Sequence, residues 1–75
     1  MNSQNDSVVS VSVVAMNENL AISEAAKESA LPHPWARYWR DKRYEKAINA
    51  EKNGPYSWVV RIDKDLATKI GNEND

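Results

Sequence analysis

Arg37, Arg40, Lys42 and Arg43 carry four of the ten basic side chains within one short stretch, and Trp35, Tyr38 and Trp39 are interleaved with them. Guanidinium groups are planar forks that bind phosphate oxygens and the guanine edge in pairs of hydrogen bonds, while an ammonium acts as a point charge. The stretch opens with Pro34, and proline suits the first turn of a helix because its missing N–H has no partner there anyway. From Pro34 to Arg43 the spacing predicts a helix. Trp35 and Trp39 then share one face, with Tyr38 beside them, and the cations spread over the remainder. Such a helix, held to a small core by its indoles, can present guanidinium groups to phosphates and base edges. Taken alone it is equally an amphipathic helix with a solvated charged side. Lys46, Lys52 and Asn53 extend the basic and polar set downstream and complete the candidate contact residues.

Other reactive chemistry is sparse. The chain has no cysteine and one histidine, which excludes disulfides, thiolate metal ligands and the usual His-cluster metal sites. His33 sits between Pro32 and Pro34 with no evident partner and reads as a turn residue. Asp63 and Asp65 lie two apart, but no glycine-rich phosphate loop, nucleophile or metal-ligand spacing accompanies them. They read as a helix cap and a first-turn charge. No enzyme, cofactor or metal is expected.

A chain of 75 residues, 41% hydrophobic and 28% charged, has room for one domain with a thin core. Phe is absent, so three Trp and three Tyr must supply much of the apolar area. No run approaches membrane-spanning length, and the polar start Met1–Asp6 lacks the pattern of a secretory signal, so a cytoplasmic protein with no membrane partner is expected. The net charge of −1 argues against a nucleic-acid partner, but its distribution is uneven. Residues 1–33 hold Lys27 against Asp6, Glu18, Glu24 and Glu28. Residues 34–53 hold Arg37, Arg40, Lys42, Arg43, Lys46 and Lys52 against Asp41, Glu45 and Glu51, and the last third is again slightly acidic. Local fields outweigh the total for phosphate binding.

These residues need elements to position them. Residues 1–7 read as a polar tail, residues 8–71 as the domain and residues 72–75 as a second tail. Val8 to Val14 alternates, with Val9, Val11 and Val13 on one side and Ser10 and Ser12 on the other, which is a strand pattern. It pairs either inside the domain or with a second copy, giving a homo-oligomer through Val9, Val11 and Val13. Asn17-Glu18-Asn19 reads as a turn. Ser23 then caps a short helix whose buried stripe is Ile22, Ala25, Ala26 and Leu31, ended by Pro32. The central helix follows. Residues 46–50 suit either the first arm of a hairpin or the end of a long helix. Asn53-Gly54 signals a turn, Trp58 to Ile62 a strand, and Asp63 caps a closing helix that Gly71 stops.

In this order the run from Ile22 to Ala67 resembles the small winged-helix domains of phage excisionases, or recombination directionality factors, whose architecture is shared with MerR-like regulators. The matching residues are ISEAAKES for a first helix, WARYWRDKR for the recognition helix, KAINAEKNGPYSWVV for the wing and IDKDLA for the closing helix. Pro32-His33-Pro34 replaces the family's usual Ser- or Thr-containing turn, and Arg43-Tyr44 stands where a glycine commonly follows the recognition helix. The resemblance implies an α+β winged-helix domain, here with an added Val-rich N-terminal strand. It also implies a non-enzymatic factor that binds duplex DNA beside an integrase or recombinase and directs site-specific recombination or represses a promoter. Arg37, Arg40, Lys42 and Arg43 would then meet bases and phosphates, and Lys52 and Asn53 the adjacent backbone. The acidic N-terminal third and the valine strand support a different class, a small protein-binding inhibitor or adaptor acting on a host protein.

Overall fold

The computed structural model describes residues 7–73. Along the chain lie β1 (Val8–Val14), α1 (Glu18–Glu28), α2 (Trp35–Arg40), a 3₁₀ turn (Lys42–Lys46), β2 (Ile48–Lys52), β3 (Ser57–Asp63) and α3 (Lys64–Glu73). The three strands form one antiparallel sheet in the order β1-β3-β2. Period-two patterning sorts its faces. Val9, Ile62 and Ile48 align across the sheet, as do Val11, Val60 and Ala50, and these face the helices. Ser10, Arg61 and Asn49 align on the opposite face, which is left to solvent. The result is a small α+β domain of three helices on a three-stranded sheet, its core running from Val60 and Ile62 through Ala21, Ala25 and Ala26 to Tyr38 and Tyr44.

β1 pairs with β3 over seven residues, so the internal alternative for the valine strand holds. Val13 is buried, while Val9 and Val11 are half-buried against the core. They are therefore not a free apolar stripe for association; the free feature of β1 is its outer backbone edge. Of the two expected tails, residues 1–6 and 74–75 lie outside the described residues. Ser7 is tied down, since its carbonyl accepts the Lys64 N–H at 3.0 Å, and Asn72 and Glu73 belong to α3.

Helix boundaries differ from expectation in four places. α1 begins at Glu18, capped by Asn17, whose side-chain oxygen accepts the Leu20 N–H at 2.9 Å. Asn17 is as good a cap as Ser23 and lets Leu20, Ala21 and Ile22 join the helix, which adds a turn and buries Ala21. Ser23, freed from capping, accepts the Trp39 indole N–H at 2.8 Å. At its other end α1 stops before Pro32 is reached. Leu31 N–H bonds to Ala26 C=O and Ala30 N–H to Lys27 C=O, the paired closure of a Schellman motif, with Ala30 at φ 54° where glycine is usual.

The central helix spans only Trp35–Arg40, not Pro34–Arg43. Asp41 adopts an extended conformation, and its carboxylate accepts the Arg43 N–H at 3.0 Å, capping the 3₁₀ turn instead. That break settles the ambiguity at residues 46–50, because the chain turns and enters the hairpin at Ile48. Asp63 caps α3 as expected, accepting the Leu66 N–H at 3.1 Å. Gly71 does not stop α3. It lies buried within the helix, where His33 packs directly against it.

Candidate nucleic-acid interface

Two tyrosines seat α2. Tyr38 is 2% exposed and meets the fully buried Tyr44 edge-on, their ring centroids 4.8 Å apart. The Tyr38 hydroxyl accepts the His33 N–H at 2.9 Å, which fixes the connection between α1 and α2, and burial pushes its phenol pKa up, so it stays protonated. The expected indole anchors do less. Trp39 is half-buried and held to α1 by its bond to Ser23, while Trp35 is 47% exposed. With α2 cut to six residues, the face that points into the core carries Tyr38, and Trp35 swings out. Lys27 of α1 covers the exposed indole, its ammonium 5.1 Å from the ring centre.

The predicted contact residues divide into three groups. Arg37 is half-buried and sits 3.3 Å from His33 Nδ1, so its guanidinium serves the interhelix connection. Arg43 is exposed but held by Asp41 through Nε contacts of 3.0 and 3.1 Å together with an Nη2 bond, the one ion pair among the described residues. Those hydrogen bonds lower the Asp41 carboxyl to about 2, so the pair persists at any physiological pH. Arg40, Lys42 and Lys46 are exposed and outside that pair. Arg40 lies over the Trp39 ring at 5.1 Å, which orients the guanidinium without neutralising it.

Lys42 and Lys46, with Arg43, border a shallow groove of about 430 Å³ between the 3₁₀ turn and α3, floored by Leu66 and Ile70. Glu45 and Glu73 stand in the same rim and reduce its positive field. Lys52 and Asn53 lie at the far end of β2, about 13 Å further on at the rise of a strand. The hairpin loop there is closed by the Asn53 N–H to Ser57 C=O bond at 2.9 Å, and the Lys52 ammonium stands 5.7 Å from the Trp58 ring centre. The arrangement thus has two cationic points, one on α2 and the 3₁₀ turn and one at the hairpin tip, with β2 between them.

Around the hairpin tip the structure also exposes apolar surface that the sequence pattern did not single out. Val14 is 78% exposed, Met16 76% and Tyr56 59%. The Ala15 N–H to Tyr56 C=O bond at 2.9 Å brings the three into one neighbourhood. Among the described residues no helix is long and apolar enough to cross a membrane, and no group of His, Asp or Glu is placed to hold a metal ion. No protein-family model, curated protein or solved structure matches the chain.

Proposed function

We propose that this chain is a duplex-DNA-binding accessory protein of winged-helix type, in which α2 and the 3₁₀ turn approach one groove and the β2–β3 hairpin tip the adjacent backbone. The observation that carries the reading is the set of exposed cations Arg40, Lys42 and Lys46 directly following a helix pair, with Lys52 and Asn53 on a hairpin beyond them. An excisionase-like role, binding beside a recombinase or at a promoter, follows from the resemblance in element order. Arg37 and Arg43 take structural parts in this reading, because their guanidinium groups already have intramolecular partners.

The cations set the magnitude. Four phosphate contacts from Arg40, Lys42, Lys46 and Lys52 give a salt slope of about −3.6, so affinity falls roughly 150-fold between 50 and 200 mM salt. Fluorescence anisotropy of a labelled mixed-sequence duplex, titrated at both salts, reads this directly. In R40A/K42A/K46A the slope drops to about −1 while the fold persists, since all three side chains are exposed. Absence of binding at 50 mM salt by folded protein overturns the proposal. A second reading, a protein-binding adaptor, is favoured by the exposed Val14, Met16 and Tyr56 at the hairpin tip. It predicts partner binding that is insensitive to salt and lost in M16S/Y56S.

A further inference from the structure

The sheet ends on one side in an unpartnered strand. β1 is bonded to β3 along one edge only, and along the other its N–H and C=O groups have no strand beside them. Edge strands of natural domains are commonly blunted by charge, proline or a bulge. β1 has none of these: seven residues, VVSVSVV, pair with β3 in unbroken register without a charged side chain. Beneath the edge, on the helical side, runs an open groove of about 560 Å³ lined by Val9, Val11, the end of α1 and Lys64. Ser29 contributes to that lining, and its hydroxyl is buried without a hydrogen-bond partner among the described residues.

The sequence of β1 identifies what fits there. VVSVSVV reads the same in both directions about Val11. Two copies related by a two-fold axis through Val11 would therefore pair Val8 with Val14, Val9 with Val13, Ser10 with Ser12 and Val11 with Val11. Every apolar side chain meets an apolar one and every hydroxyl a hydroxyl, and all seven residues are used. A shift by two residues sets valine against serine and shortens the ladder, and a shift by one turns apolar side chains to the wrong face. A two-fold axis perpendicular to the sheet keeps both helical layers on one side, so each copy's Val9, Val11 and Val13 point towards the other's groove. Charge does not oppose the union: the strand is uncharged, each groove rim carries Glu28 and Lys64 in balance, and each chain has a net charge of only −1.

We infer that β1 is a homodimerisation edge, joining two chains into a continuous six-stranded antiparallel sheet centred on Val11. The interface is isologous, as closed two-fold association requires. One strand of about 23 Å is a small contact, so the dimer is weak and concentration-dependent. The inference stands independently of DNA binding.

Sedimentation equilibrium of the full chain over a wide concentration range tests it, with circular dichroism to monitor folding. Wild-type protein is expected to show a reversible monomer–dimer equilibrium. In S10E/S12E each introduced carboxylate faces a carboxylate of the other copy, and the dissociation constant rises by about tenfold or more. Both serines are exposed and position 10 lies opposite Arg61 of its own chain, so the monomer keeps its fold. S10E/S12K sets a carboxylate against an ammonium twice in the proposed register and restores association, whereas registers shifted by two residues bring like charges together. Wild-type protein that remains monomeric throughout overturns the inference. So does S10E/S12E that associates as tightly as wild type, or S10E/S12K that stays as weak as S10E/S12E.

Discussion

Gly71→Ala is the substitution whose sign separates local propensity from tertiary packing most cleanly. Gly71 lies inside α3, and alanine is about 1 kcal/mol better than glycine in a helix interior. From the helix alone the change should stabilise. In the folded protein a Cβ on Gly71 would fall well inside van der Waals contact with His33 Nε2 and Cδ2, and 3.1 Å from the Tyr44 hydroxyl. His33 has little freedom to retreat. Its neighbours are Pro32 and Pro34, its N–H is bonded to Tyr38 and its ring contacts Arg37. Overpacking of this kind costs about 1–3 kcal/mol and here exceeds the helical gain.

The expected net loss is about 1–2 kcal/mol, out of a total on the order of 4–11 kcal/mol for a chain of this size. That corresponds to a fall in Tm of roughly 5–15 °C, read by thermal and urea unfolding followed by circular dichroism. A double-mutant cycle isolates the cause. In a His33→Ala background the ring is gone and only the Tyr44 hydroxyl remains near, so Gly71→Ala becomes neutral or stabilises by about 0.5 kcal/mol. Stabilisation of the wild-type background by G71A, or an equal loss in both backgrounds, would refute the packing argument.

Other expectations follow from single groups. Ala30→Gly should stabilise by about 0.5–1 kcal/mol in urea unfolding, because Ala30 holds φ 54° at the end of α1 and only glycine adopts that region without cost. Tyr44→Phe should be neutral or stabilising by up to about 1 kcal/mol, since the ring is fully buried and its hydroxyl has no partner among the described residues; a clear loss of Tm would reveal a hydrogen bond. Asp41, lowered to about 2 by its hydrogen bonds to Arg43, has a folded pKa below the ordinary value of 3.8. Its contribution is therefore complete above pH 4 and is lost as pH falls from about 4 to about 2. Urea midpoints of wild type and Asp41→Asn should differ at pH 6 and converge near pH 2, and a constant gap would contradict the assignment.

The elements legible in the sequence were those specified by a local period or a strong local cap. Val8–Val14, Trp58–Ile62 and the Asp63-capped helix are of that kind, because alternation and capping are decided within a few residues. The stripe Ile22, Ala25, Ala26 was legible for the same reason. What escaped was settled by competition between near-equal local options. Asn17 and Ser23 are both good caps, and only the burial of Ala21 and the use of Ser23 by Trp39 decide between them. Asp41 followed by Lys42-Arg43 reads as three charges on a continuing helix until its carboxylate turns back to the Arg43 N–H. Gly71 reads as a helix stop until His33, thirty-eight positions earlier, is seen against it.

The same competition governs the candidate site. Seven contact residues were chosen by charge and spacing, and pairing inside the fold takes two of them, Arg37 and Arg43, out of reach of a phosphate. Aromatic residues were assigned to the core by type, yet tyrosine fills it and Trp35 is left outside under Lys27. The cost of burying a polar atom explains this division. The Tyr38 hydroxyl finds the His33 N–H, whereas the indole N–H groups of Trp39 and Trp58 find Ser23 and Ala15 only near the rim of the core. A surface built this way presents fewer free cations than its sequence advertises. Any affinity for DNA must therefore rest on Arg40, Lys42, Lys46 and Lys52, and a salt slope much steeper than about −3.6 would require contacts that the monomer does not supply.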